Sequence, residues 1–313
     1  MLNFNMQSAV IKYLLGKVKY IIVITMLMIL SWQANEWFQN KYPYTMPEGK
    51  DILLLGESQL ANGFNPVWIE GSVNIGQFAE PWVLSYFKLR YILQHNPNLK
   101  TVVIPISSIH FKPRFDDLFG EYVFASEFFY RSVLITDHED FDPFKVPWNR
   151  YQEQFIRYNV IPNYNFFAQW GFDLFGKERQ LRYPFIGEYQ GMNPGAEEYD
   201  YEKLGSELYY KGNKPCGKTN AQYIDSIARI TSHNNIKLVV VSMPIHKGLY
   251  HQVPDSIKQY IGTLIEKAKC YNNVYHLPCD TLYENHLFHN YSHLSHEGAK
   301  HLSVHLNEFL KTL

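Results

Sequence analysis

Five short runs rich in aliphatic and β-branched residues constrain this chain most: Asp51–Leu55, Ser72–Ile75, Thr101–Ile106, Lys237–Ser242 and Asn273–Leu277. Three are almost continuously apolar, the pattern of strands covered by helices on both faces. Between them, apolar residues recur at helical spacing in Pro81–His95 (Leu84, Phe87, Tyr91), Asn220–Ser232, Pro254–Ala268 and His296–Leu310. Strand alternating with helix predicts an α/β fold, a doubly wound sandwich on a parallel five-stranded sheet. One long stretch after strand three, residues 111–217, breaks the alternation. Its Phe111–Lys211 part holds 27 of the 51 aromatic residues and lacks a convincing parallel strand. It is expected to be an insertion of short helices and loops. Its rings are expected to pack as a small core, with stacking on sugar rings as the alternative.

The first 45 residues form a separate region, with residues 46–313 as the folded domain. Lys12, Lys17 and Lys19 precede an uncharged stretch from Tyr20 to Ala34 with the core IIVITMLMIL. A basic flank before an apolar run is an export pattern. The apolar part nears spanning length when extended toward Phe38 or back past Gly16. Bulky Trp32 disfavours cleavage after Ala34, so a retained membrane anchor is expected, with a cleaved signal peptide as the alternative. The lysines then stay cytoplasmic and the domain is exported, to the periplasmic or extracellular side. In an oxidising compartment Cys270 and Cys279 are a candidate disulfide, leaving Cys216 odd.

Composition removes several function classes. Twenty-nine basic against 30 acidic residues leave a net charge of −1, without the basic excess of a nucleic-acid binder. Three cysteines are too few for a disulfide scaffold or a multi-thiolate metal site. His286, His289, His293 and His296 cluster, but their spacing does not put two ligands on one helical turn, so no metal is expected. Gly212–Thr219 matches the P-loop expression G-x-x-x-x-G-K-[ST]. The polar EKLGSELYYK before it is no buried strand, so phosphate binding is not expected there. No cofactor is implied.

In open α/β sheets the ligand crevice lies at the carboxyl ends of the strands. Ser58 follows the first strand in Gly56-Glu57-Ser58, and His293 lies in a loop just before the final helix, with Ser295 placed to cap that helix. A serine and a histidine meeting there make a hydrolytic pair: the imidazole takes the hydroxyl proton and later returns it to the leaving group. His110 and His246 are expected to be ordinary surface or hydrogen-bonded loop histidines, with a place at the crevice as the alternative.

These two segments resemble the SGNH/GDSL-type hydrolases, in particular a membrane-anchored bacterial branch related to cell-envelope acyl-transfer proteins. Gly56-Glu57-Ser58 is similar to the family's Gly-Asp-Ser block. Asn290-Tyr291-Ser292-His293-Leu294, with Gly298 beyond it, is similar to the Asp-x-x-His-Leu block. The resemblance implies a flavodoxin-like three-layer α/β/α sandwich, Ser58 as nucleophile and His293 as base. It also implies an oxyanion hole from the Ser58 amide and Gly76. Asn290 replaces the acid that orients the histidine; a backbone carbonyl, Asp280 or Glu284 is the candidate substitute. After strand three Ser107, Ser108 or His110 stands in for the family's asparagine. The implied function is an exported esterase or acyltransferase acting on acyl esters of a cell-envelope carbohydrate. The alternative is an inactive scaffold that binds an envelope glycan or a partner protein.

Overall fold

The computed structural model describes residues 2–111, 183–195, 198–210, 218–278 and 283–313, with isolated positions between 128 and 156. The chain divides into two compact units, residues 1–43 with 136–182, and residues 44–135 with 183–313. In the first unit a continuous helix, α1, runs from Leu2 to Lys41. Its Gly16–Trp37 portion, 22 residues, is long and apolar enough to cross a membrane. Side chains from Tyr20 to Leu30 are largely exposed.

The second unit carries the sheet. Strands β1 (Ile52–Leu54), β2 (Ser72–Asn74), β3 (Thr101–Ile106), β4 (Lys237–Ser242) and β5 (Val274–Leu277) are all parallel, in the order β2-β1-β3-β4-β5. The α/β class and the parallel five-stranded sheet expected from the sequence are therefore present. Helices α2 (Ser58–Gly63) and α3 (Trp82–His95) follow β1 and β2; longer helices cover Lys218–His233, Asp255–Ala268 and His296–Leu310.

Alternation along the strands builds a layer on each face. Leu53, Val102, Ile104, Leu238 and Val240 join a core with residues of α3 and helices 218–233 and 255–268. Their neighbours Leu54, Val103, Val239 and Val241 join a second core with Leu60, Phe64, Leu302 and Leu306, from α2 and the last helix. Both faces are dry, which is why the strands read as continuous apolar runs. The chain switches direction between β1 and β3, where a doubly wound sheet opens its crevice.

Residues 112–127 and most of 133–182 lie outside the described part, as do Gly212–Gly217 of the P-loop-like stretch. What precedes that stretch is a helical turn, Tyr201–Gly205, continued by a π-turn, Ser206–Tyr210, and not a strand. Described aromatics of the expected insertion pack on rings of the sheet-bearing unit. Tyr183 and Phe185 meet Tyr44 and Tyr91, and Tyr201 stacks on His246. Cys270 is exposed, while Cys216 and Cys279 lie outside the described residues.

Candidate active site

β1 ends in a turn that needs glycine at its first position. A Cβ on Gly56 would stand 2.5 Å from Pro105 of β3. Glu57 follows as the N-cap of α2, its Oε2 accepting the Gln59 amide at 2.9 Å. Ser58 is thereby fixed at the first position of that helix, where backbone amides lack helical partners. Among the described residues no acceptor meets the Ser58 amide.

The histidine comes from a tight hairpin. Phe288 and Leu294 pair in an antiparallel bridge, and the His289 amide donates to the His293 carbonyl at 2.8 Å. Ser295 caps the helix that begins at His296, accepting the Gly298 amide. Gly298 is required because a side chain there would run into the Leu287 carbonyl.

The fold brings the two ends together. His293 Nε2 lies 2.7 Å from Ser58 Oγ, and Oγ lies 2.7 Å from Glu57 Oε2. On the far side of the ring, His293 Nδ1 lies 3.0 Å from Asn290 Oδ1. That Asn290 oxygen also accepts the amides of Ser292 at 3.0 Å and His293 at 2.9 Å. Two backbone donors identify it as the carbonyl oxygen, so Nδ1 carries the proton and Nε2 is left to accept from Ser58. Asparagine here sets the tautomer that a general base requires. Glu284 instead faces His286, with Oε2 3.3 Å from Nδ1, and Asp280 lies outside the described residues.

The other expected site residues reach the crevice edge, but their donors are engaged. The Gly76 amide, expected to face an oxyanion, donates to Asn74 Oδ1 at 2.9 Å. Asn74 is itself buried, and its Nδ2 donates to the Leu60 and Phe64 carbonyls. Gly76 is needed for another reason: a Cβ would stand 2.8 Å from Leu60 Cδ2 and 3.0 Å from the Gly56 carbonyl. The Ser107 amide donates to His110 Nδ1 at 3.1 Å, and the Ser107 hydroxyl donates to Gln59 Oε1. The Ser108 hydroxyl lies 2.8 Å from that of Tyr209, which burial pushes up to about 12. His110 stacks on Trp82, centroids 4.5 Å apart, and its Nε2 lies 3.7 Å from Glu57 Oε1. His246 caps the turn after β4 through the Gly248 amide, and its own amide donates to the Tyr291 carbonyl. Burial shifts His246 down from the usual histidine value, keeping it an uncharged acceptor.

Three features had no sequence signal of their own. Gln59, 2% exposed, ties the serine turn to both neighbours: its Nε2 donates to the Ser292 carbonyl at 2.9 Å and its Oε1 accepts from Ser107. A strap from Tyr183 to Gly195 is pinned at the Ile75, Ala61 and Phe288 carbonyls through the amides of Gly187, Gln190 and Gly195. Below the β2 exit, Lys88 and Glu80 form an ion pair with fully buried side chains. Lys88 also donates to the Ile75 carbonyl at 3.3 Å. Burial pushes the lysine down to about 8 and the glutamate up. The Gln59 side chain, the strap and the ion pair all depend on contacts far apart in sequence.

A cavity of about 210 Å³ opens beyond the β3 and β4 exits, lined by Ser107, Ser108 and Ser242 with Ile106, Met243 and Tyr250. A larger hollow of about 620 Å³ lies at the opposite edge, between segments 45–51 and 95–100, away from Ser58. Among the described residues no cluster of three metal-ligating side chains occurs.

No family model matches the chain, and no curated protein matches it. Among solved structures, one neighbour is a "putative acylhydrolase" from Bacteroides fragilis NCTC 9343, at 12% identity and TM-score 0.38, covering 90% of this chain and 94% of that one. Another is a GDSL-like lipase from Bacteroides thetaiotaomicron VPI-5482, at 11% identity and TM-score 0.37, covering 90% and 98%.

Proposed function

We propose that this protein is a membrane-anchored, exported serine esterase or acyltransferase acting on acyl esters of a cell-envelope carbohydrate. The observation that carries the reading is the 2.7 Å contact between Ser58 Oγ and a His293 whose tautomer leaves Nε2 able to accept. In the proposed reaction Oγ bonds to the acyl carbon while its proton passes to Nε2 and the carbonyl electron pair moves onto oxygen. The tetrahedral intermediate then collapses, and Nε2 returns the proton to the departing alcohol. Water or a second hydroxyl attacks the acyl-enzyme by the same proton route. The Ser58 amide is the oxyanion donor, a short set, since each missing donor costs ~3–4 kcal/mol. Lys12 ahead of the apolar helical segment Gly16–Trp37, with Lys17 and Lys19 in its first turn, supports the anchor and the export of the sheet-bearing unit.

Engagement of the Gly76 and Ser107 amides favours a second reading, a sandwich that binds an envelope glycan or a partner protein without turnover. One experiment separates the two. The full chain in detergent is treated with a fluorophosphonate and assayed on p-nitrophenyl acetate, with Ser58→Ala alongside. Labelling and turnover that fall ~10⁴-fold or more in Ser58→Ala support the esterase. Absence of both in the wild type leaves the binding reading, and labelling that survives Ser58→Ala rejects the nucleophile.

A further inference from the structure

Asparagine at position 290 solves half of the problem that an orienting acid solves. It holds the imidazole in the right tautomer, but it offers no charge to the imidazolium that forms when His293 takes the serine proton. We propose that Glu57 supplies that charge from the serine side. The proposal rests on the Ser58–His293 assignment and adds a catalytic residue to it.

Glu57 Oε2 and His293 Nε2 are each held 2.7 Å from the same atom, Ser58 Oγ. The carboxylate and the ring therefore lie within twice that distance of one another. The carboxylate is fixed by a hydrogen bond on one oxygen and faces an imidazole with the other. Oε2 accepts the Gln59 amide at 2.9 Å, and Oε1 faces His110 Nε2 at 3.7 Å. His110 Nδ1 lies 3.1 Å from the Ser107 amide and 3.3 Å from the Ser107 carbonyl and hydroxyl oxygens, which turns Nε2 toward Glu57. Stacking on Trp82 holds that ring in place. The side chain of Glu57 is 7% exposed, so water screens its field weakly. The amide donor on Oε2 suits a charged carboxylate.

During attack the Oγ–H bond breaks and the Oγ–C bond forms. The proton goes to Nε2, and the new imidazolium stands between Asn290 Oδ1 and the Glu57 carboxylate. Glu57 neither gains nor loses a proton. Before attack Glu57 Oε2 competes with His293 Nε2 for the single Ser58 hydroxyl hydrogen, so without this role its removal would leave the rate unchanged or raise it. Among the described residues the titratable groups that face Glu57 are His110, from the turn after β3, and His293 itself.

The test uses the full chain in detergent micelles as wild type, Glu57→Gln, Glu57→Asp, Asn290→Asp and the Glu57→Gln/Asn290→Asp double variant. Glutamine keeps a capping oxygen and removes the charge. Turnover of p-nitrophenyl acetate is measured, and the proton affinity of His293 is followed by NMR of ring-¹⁵N-labelled histidine. At about 5 Å and an effective dielectric near 20, loss of the charge lowers kcat about 10²-fold with KM unchanged. His293 loses proton affinity by a similar factor. Aspartate restores most of both. In the Asn290→Asp background the same loss shrinks below about 5-fold, because a second charge is already in place. Unchanged His293 proton affinity in Glu57→Gln, or an equal kcat loss in both backgrounds, overturns the proposal and leaves Glu57 as a helix cap. If the wild type neither labels nor turns over, the esterase reading fails, and the His293 titration alone decides whether Glu57 acts on the ring.

Discussion

Glu57 and Asn290 occupy matching positions on the two sides of the site, each folding its side-chain oxygen onto backbone amides just ahead of it. On the serine side the oxygen belongs to a carboxylate, capping α2 through the Gln59 amide. On the histidine side it belongs to an amide, which collects the Ser292 and His293 amides and the ring Nδ1. Both fix a reactive group by the same local hydrogen-bond economy, but only one carries charge. The difference teaches that geometry and charge are separable demands: in the proposed mechanism the first is met at both Ser58 and His293, the second only by Glu57. Gln59 Nε2 bonded to the Ser292 carbonyl joins the sides independently of the Ser58–His293 contact.

Breaking the histidine side has the largest expected effect. Asn290→Leu removes the acceptor that holds Nδ1 protonated and strands two backbone amides. Ester turnover should fall ~10³–10⁴-fold, near the cost of a wrong tautomer elsewhere; a loss under tenfold in steady-state kinetics would show that another group orients the ring. Cutting the strut comes next. Gln59→Leu leaves the Ser292 carbonyl and Ser107 hydroxyl without their buried partner, for ~2–3 kcal/mol of stability by denaturant unfolding. Thermal stability equal to wild type would mean the two sides are held by the core alone. Smallest is the change that makes the sides alike: Asn290→Asp keeps the shape and adds a charge, and kcat should rise about tenfold. A fall would mean that two carboxylates around one serine and one histidine repel more than they help.

Much of the fold was legible because its signals are local. The five apolar runs lie within one residue of the observed strands, since strands covered on both faces need uninterrupted apolar side chains. The final helix starts where Ser295 can cap it. Legibility ended where two groups compete for one partner. Gly76 was expected to aim its amide at an oxyanion, and nothing in Asn74-Ile75-Gly76 announces that Asn74 folds back to take it. Ser107 and Ser108 looked alike as donors, yet one meets Gln59 and the other Tyr209, 101 residues away.

From the residues alone, periodicity determined the α/β class, and composition determined which chemistry the strand ends have available: a hydroxyl at 58, an imidazole at 293, a carboxylate at 57 and an amide at 290. Those are properties of each residue and its near neighbours. Which hydrogen goes to which acceptor, and how near the carboxylate stands to the ring, was decided only by the packing of β1, β3 and the 288–294 hairpin. A hydrogen bond is a choice among all the partners within reach, and the folded chain alone sets that reach.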